Sequence, residues 1–330
     1  MRSITTRVTE FWNGLAPINR RDLNVVRRHD VRRILLLLLL AGVLLHAQPP
    51  TQFRSKAKGL VLADVENSEF HSRFTGYEYR IYISLPKSYA ASDKRYPVLY
   101  VPDADFAFDA ARTAYETISI GPSLRMGPAI DELIIVGVPL KVENTLDWAR
   151  KRFYDLTPTV DEEATASFAK QFEGEVRSGG AAVFLRALQQ EVIPYIEANY
   201  RTTTDRGLAG YSLGGLFTFW VMLQDQTTFS RYMVGSPSLW WDNAANLKAE
   251  AAFAEAGKKL RGKAYFSVGS GEGKMMLDPF RQLLATLTTP NNPDFRYDSH
   301  IFEGSDHLSG VAGAFSAAMK YLYAFQPAKR

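Results

Sequence analysis

The sequence predicts an α/β protein built on a mainly parallel sheet with helices over both faces, and three observations lead there. First, several segments are short, nearly continuous apolar runs: Val98-Leu99-Tyr100-Val101, Leu133-Ile134-Ile135-Val136-Gly137-Val138, Gly207-Leu208-Ala209-Gly210 and Ala264-Tyr265-Phe266-Ser267-Val268. Strands buried on both faces read this way. Second, helical spacing separates them, as in Val183-Phe184-Leu188-Val192-Ile193-Ile196 and Phe315-Met319-Leu322. Third, strand and helix patterns alternate along the chain, which is the order of a parallel sheet covered on both sides.

Taken from the N-terminus, the first element is not part of that sheet. Residues 1–33 carry eight Arg against Glu10, Asp22 and Asp30, a surplus of +5 beside a whole-chain charge of +4, so the rest of the chain stands at −1. The basic character belongs to this tail, and the remainder gives no sign of nucleic-acid binding. Arg32-Arg33 is followed by an uncharged run, Ile34 to Leu45, and then by His46-Ala47-Gln48-Pro49-Pro50. Twelve apolar residues are short for a bilayer core of about 30 Å, and the segment reads as a signal peptide or an uncleaved membrane anchor over 1–47. Its positive flank sends the following domain across the membrane, so the protein is expected to be exported, to the periplasm or beyond. A linker is expected over 48–69 and a catalytic domain over 70–326.

Within that domain, Tyr77-Tyr79-Ile81-Ile83-Leu85 alternates with Glu78, Arg80, Tyr82 and Ser84, which is period two and argues a half-exposed strand. Residues 159–180 are acidic and small, end in Ser178-Gly179-Gly180, and read as a lid-like excursion. The last strand is Phe295 to Phe302. With no cysteine in the chain, disulfides, thiolate nucleophiles and Cys-based metal sites are excluded, so covalent chemistry must use a hydroxyl, a carboxylate or an amine. Neither a metal nor a cofactor is expected.

Gly210-Tyr211-Ser212-Leu213-Gly214-Gly215 matches G-x-S-x-G between a buried strand and a helix-like segment from Leu216 to Leu223. That context is the nucleophile elbow of the α/β-hydrolase fold. A serine on such a turn projects its hydroxyl above the sheet, and glycines two residues either side avoid a collision of Cβ atoms. A serine hydroxyl needs a base, and the chain has five histidines. His29 and His46 lie in the N-terminal segment, His71 precedes the alternating strand, and His300 sits inside the last strand. His307, in Glu303-Gly304-Ser305-Asp306-His307, follows that strand and precedes a helix, where a base reaches back over the nucleophile.

The orienting acid is expected between serine and histidine in chain order, after the Ala264–Val268 strand. Glu272 in Gly269-Ser270-Gly271-Glu272 is the first choice and Asp278 the second. Asp306, adjacent to the histidine, is poorly placed to meet the far imidazole nitrogen. Two backbone N–H groups should stabilise the oxyanion: that of Leu213, directly after the serine, and one from Pro102-Asp103-Ala104-Asp105, with Ala104 favoured.

With these residues placed, the chain from about Phe70 to Tyr323 resembles the bacterial esterase family that includes enterobactin and other ferric-siderophore esterases. The matching stretches are Tyr96 to Asp103, Arg152-Phe153-Tyr154-Asp155-Leu156-Thr157-Pro158, Ile193 to Tyr200, Leu208 to Gly215, and Ser236-Pro237-Ser238-Leu239-Trp240-Trp241. The family often carries Asp-Gly where this chain has Asp103-Ala104. The resemblance implies a serine carboxylic-ester hydrolase acting on small-molecule esters, with Arg152, Trp240 and Trp241 beside the substrate and an anionic or aromatic acyl group as its partner. Acyl transfer to a sugar or lipid alcohol on the same residues stays open, as does a non-catalytic binding protein on a hydrolase scaffold.

Overall fold

The structure is a computed structural model and describes residues 65–287 and 294–325. The basic tail, the apolar run Ile34 to Leu45 and most of the expected linker lie outside the described residues. Among the described residues no helix is long and apolar enough to cross a membrane.

Eight strands form one sheet in the order β1-β2-β4-β3-β5-β6-β7-β8. They are β1 (Val65–His71), β2 (Glu78–Ser84), β3 (Tyr96–Val101), β4 (Ile134–Gly137), β5 (Thr202–Tyr211), β6 (Arg231–Gly235), β7 (Gly262–Gly269) and β8 (Phe295–Phe302). The pairings β1·β2 and β2·β4 are antiparallel, and all the others are parallel. This is the α/β-hydrolase arrangement that the elbow motif implied. Two strands lie outside the sequence expectation. β1 begins at Val65, inside the span read as linker, because its mixed Val-Glu-Asn-Ser-Glu-Phe-His composition hides an edge strand that bonds only to β2. β6 is five residues long, and its apolar centre Tyr232-Met233-Val234 is too brief to stand out, although all three residues are buried.

The helices used below are α1 (Ala104–Ser119), α2 (Thr145–Leu156), α3 (Glu162–Gln171), α4 (Ala181–Ala187), α5 (Ile193–Asn199), α6 (Leu213–Gln224), α7 (Trp241–Glu255), α8 (Lys274–Leu287) and α9 (Gly310–Leu322). A π-helical turn, Leu188–Val192, joins α4 to α5, so the predicted periodic run stays helical throughout. Alternation along the buried strands sends side chains to two separate cores. Val98, Tyr100, Ile134, Val136, Leu208 and Phe266 pack on one face with α6. Leu99, Val101, Ile135, Ala209, Met233 and Tyr265 pack on the other with α1 and α9. Helix α6 is apolar all round, Leu213 to Leu223 being buried except for Trp220, as a helix enclosed by the protein must be.

Residues 159–180 hold α3, none of whose residues is fully buried. The excursion is anchored all the same. Phe168 and Phe172 sit 4.2 and 5.7 Å from the Phe153 ring, and the Trp241 indole N–H donates to the Thr159 carbonyl at 3.2 Å.

The topology fixes where a site can form. The chain leaves β3 toward β4 on one side and leaves β5 toward β6 on the other, so the carboxyl ends of β3 and β5 diverge into a crevice. Ligand sites of open α/β sheets sit at such reversals.

Candidate active site

Ser212 follows β5 directly and holds φ +61° and ψ −122°. This left-handed backbone is rare for a residue with a Cβ and costs about 1–3 kcal/mol. It persists because both sides are pinned: the Ser212 N–H donates to Gly235 O at 3.0 Å, and Ser212 O accepts from Leu216 N at 2.9 Å and from Ser238 N at 3.2 Å. The glycine requirement is sharper than the motif suggests. A Cβ on Gly210 would stand 2.0 Å from Gly214 O, and one on Gly215 would stand 2.4 Å from Gly235 O. One on Gly214 would meet nothing closer than Asp103 at 3.2 Å. The two glycines without which the turn cannot close are therefore Gly210 and Gly215; the second position of the motif, Gly214, is only tight.

His307 comes from the loop between β8 and α9, and Glu272 from the single 3₁₀ turn after β7. Glu272 Oε2 lies 2.6 Å from His307 Nδ1, and Ser212 Oγ lies 2.9 Å from His307 Nε2. A carboxylate can only accept, so Nδ1 carries the proton and Nε2 is left as the acceptor for the serine hydroxyl. The carboxylate of Glu272 is almost fully covered, at 1% exposure, while the imidazole is more than a third exposed at 37%. Burial pushes the Glu272 carboxyl up, but hydrogen bonds from His307, from the Ser236 hydroxyl and from the Gly269 N–H outweigh it and hold the group below the usual carboxylate range. Those last two bonds, at 2.6 and 2.7 Å, both end on Oε1. The oxygen facing away from the histidine is thereby saturated.

The other residues weighed from the sequence fall elsewhere. Asp278 is exposed and faces Arg281 at 3.7 Å. Asp306 turns back to accept from Leu308 N, Ser309 N and Ser309 Oγ, shaping the loop that presents His307. His71 lies on the edge strand against Glu78. His300 is exposed on β8, 4.6 Å from the Phe302 ring.

Leu213 opens α6, so its N–H lies at the helix start beside the serine. Ala104 opens α1 directly after β3, with its side chain buried. Both face the crevice described above by their place in the fold. Ala104 and Phe108 have room there because Gly137, at the end of β4, lacks a side chain: a Cβ on it would come within 2.9 Å of Ala104 Cβ and 2.6 Å of the Phe108 ring.

Three residues assigned to the substrate by resemblance have different surroundings. Trp241 is 1% exposed, packs on Phe153 at 5.8 Å and spends its N–H on Thr159. It is a core residue, and the wall role is corrected. Trp240, half-buried and 5.9 Å from the Trp241 ring, keeps a face toward solvent. Arg152 is bound bidentately by Asp103, with Nε donating at 2.8 Å to Oδ1 and Nη2 at 2.6 Å to Oδ2. Sequence reasoning missed two functional candidates, Ser236 and Asp103. Both lie in the stretches that carried the family resemblance, and Ser236 went unread because the strand preceding it did.

The family model described as "Putative esterase" matches residues 72–310. The chain belongs to that family. It is 28% identical over 258 residues to the ferri-bacillibactin esterase BesA of Bacillus subtilis, a match spanning 76% of this chain and 86% of that protein. A siderophore enterobactin esterase of Emericella nidulans is 29% identical over 196 residues, 57% of this chain and 61% of that one. Among solved structures, the BES protein of Bacillus cereus superposes with a TM-score of 0.71 at 27% identity, covering 82% of this chain and 99% of that chain. The protein is accordingly a carboxylic ester hydrolase.

Proposed function

We propose that the chain is an exported serine esterase that cleaves siderophore-type esters through an acyl-enzyme, with Ser212 as nucleophile, His307 as general base and Glu272 as the acid that orients it. The observation that carries this reading is the unbroken series of hydrogen bonds from Ser212 Oγ through His307 to Glu272, at 2.9 and 2.6 Å, ending on a carboxylate whose remaining oxygen is already saturated. In the reaction, Ser212 Oγ bonds to the ester carbonyl carbon while its proton passes to His307 Nε2. The carbonyl electron pair moves onto oxygen, where the N–H groups of Leu213 and Ala104 receive it. Collapse breaks the bond to the alkoxy oxygen, which takes the proton from His307. Water then repeats the sequence on the acyl-enzyme and frees the acid. Glu272 stays ionised, facing the imidazolium that forms at each step.

The siderophore class rests on the names of the relatives, a ferri-bacillibactin esterase and an enterobactin esterase. Trp240 is the residue retained for contact with an aromatic acyl group, and 159–180 is retained as a lid. Export rests on the eight arginines and the apolar run within residues 1–47. The test is a panel of p-nitrophenyl esters, a feruloyl ester and a ferric catecholate trilactone, run on wild type and Ser212→Ala. A trilactone kcat/KM well above that of the short esters, abolished in the variant, is expected. Preference for short neutral esters would replace the siderophore reading with that of a generalist esterase.

A further inference from the structure

Asp103 precedes α1, at the position where an aspartate ordinarily accepts from the first N–H groups of its own helix. It makes no such bond. Its carboxylate is drawn to Arg152 on α2 instead, 49 residues away in sequence, with three contacts of 2.8, 3.0 and 2.6 Å. Asp103 is 2% exposed and Arg152 12%, and the guanidinium carbon lies 5.3 Å from the centre of the Trp148 ring. The other side of Asp103 lies against the first turn of α6: its Cβ and Oδ2 are each 3.2 Å from where a Cβ on Gly214 would stand. Two residues on, Asp105 Oδ2 accepts from Leu140 N at 2.9 Å. Ala104 thus sits between two fixed carboxylates, one tied to α2 and touching the nucleophile helix, the other tied to the chain after β4.

We propose that Arg152 is a positioning residue: through Asp103 it sets the Ala104 N–H relative to the Leu213 N–H, and so sets the geometry of the oxyanion site. This rests on the reading of Ser212 and Ala104 given above. A planar fork holding both carboxylate oxygens restrains rotation as well as distance, which a lysine cannot do. Fixing a donor in this way acts on the transition state and not on ground-state binding, and a displacement of about 1 Å at such a group costs on the order of a hundredfold in rate.

The test uses p-nitrophenyl acetate, which carries no charge for Arg152 to recognise, and an alkyl trifluoromethyl ketone, whose hemiketal with Ser212 places an oxyanion where the reaction does. Variants are Arg152→Lys, Arg152→Ala and the double variant Asp103→Asn/Arg152→Gln, which removes both charges together and leaves no buried charge unpaired. Expected are a fall of about 10- to 100-fold in kcat for Arg152→Ala and for the double variant, and a smaller fall for Arg152→Lys. KM should stay within about twofold of wild type, and ketone affinity should fall in step with kcat/KM. Wild-type kcat in the double variant would overturn the inference. So would an Arg152→Ala that raises KM for an anionic aromatic ester while leaving kcat and ketone affinity intact, since the arginine would then touch substrate. A wild-type chain that neither hydrolyses the ester nor binds the ketone would overturn the hydrolase mechanism, and this inference with it.

Discussion

Replacing Glu272 by Gln changes one atom and leaves the shape of the site intact, so its effect can be worked from the geometry. Glu272 Oε1 accepts from the Gly269 N–H and the Ser236 hydroxyl. In the variant the amide oxygen keeps those bonds and the NH₂ group faces His307 Nδ1, now a donor where an acceptor stood. The imidazole is driven to the other tautomer, with its proton on Nε2, and cannot take the serine proton. The charge partner of the transient imidazolium is lost as well. With charge centres about 4 Å apart and an effective dielectric of about 20, that interaction is worth about 4 kcal/mol, or roughly a thousandfold in rate. The expected outcome is a kcat for p-nitrophenyl butyrate lower by about 10³ with KM little changed, and an unaltered thermal midpoint. A Glu272→Gln enzyme within tenfold of wild type would refute the reasoning and leave a Ser-His pair.

Ser236→Ala removes the hydroxyl that donates to Glu272 Oε1 at 2.6 Å and helps keep that carboxyl ionised and in place; a lost hydrogen bond to a charged group, about 1.5 kcal/mol, should lower kcat for p-nitrophenyl butyrate roughly tenfold with KM little changed, and a wild-type kcat would count against Ser236. Gly210→Ala should cost about 3 kcal/mol or more by denaturant titration and Gly214→Ala less than about 1.5, given clashes at 2.0 and 3.2 Å; equal costs would contradict the account of the elbow. Asp155, whose Oδ2 accepts from Tyr79 OH at 2.7 Å while Oδ1 has no polar partner among the described residues, is pushed up to about 8 chiefly by burial. The folded chain then keeps a proton that the unfolded chain releases near pH 4, so this group's contribution to stability is lost as pH rises toward 8. Asp155→Asn should gain on wild type by up to about 1.4 kcal/mol per pH unit across pH 5–8; a constant difference would show that Asp155 is ionised throughout.

The parts of this fold legible in the sequence are those governed by one strong local signal. β8 spans Phe295–Phe302 as read, and β3, β4 and β7 fall within a residue or two of their apolar runs because both faces of each are buried. β1 and β6 escaped for opposite reasons: one is an edge strand with polar composition, the other a central strand too short for periodicity. The candidate histidine and acid were chosen by chain order, since the topology permits few loops at the carboxyl ends of the strands, and both fall within hydrogen-bond reach, Glu272 of His307 and His307 of Ser212. What the sequence could not convey is which partner a polar side chain meets across the fold. Arg152 and Asp103 stood in separate matching stretches with nothing to join them, and Trp240-Trp241 gave no sign that the two indoles part ways, one to the core and one to the surface. The same blindness hid Ser236, whose importance is a single bond to Glu272.

Whether Ser212 is the nucleophile is decided by covalent labelling with a fluorophosphonate probe, which reacts with an activated serine. The probe is incubated with wild type and with Ser212→Ala, and the adduct is mapped by peptide mass spectrometry beside residual ester hydrolysis. One adduct is expected, on Ser212, appearing in step with loss of activity, together with an unlabelled, folded and inactive Ser212→Ala protein. An adduct on another residue that tracks inactivation, or a Ser212→Ala protein retaining more than about a hundredth of wild-type turnover, would contradict it.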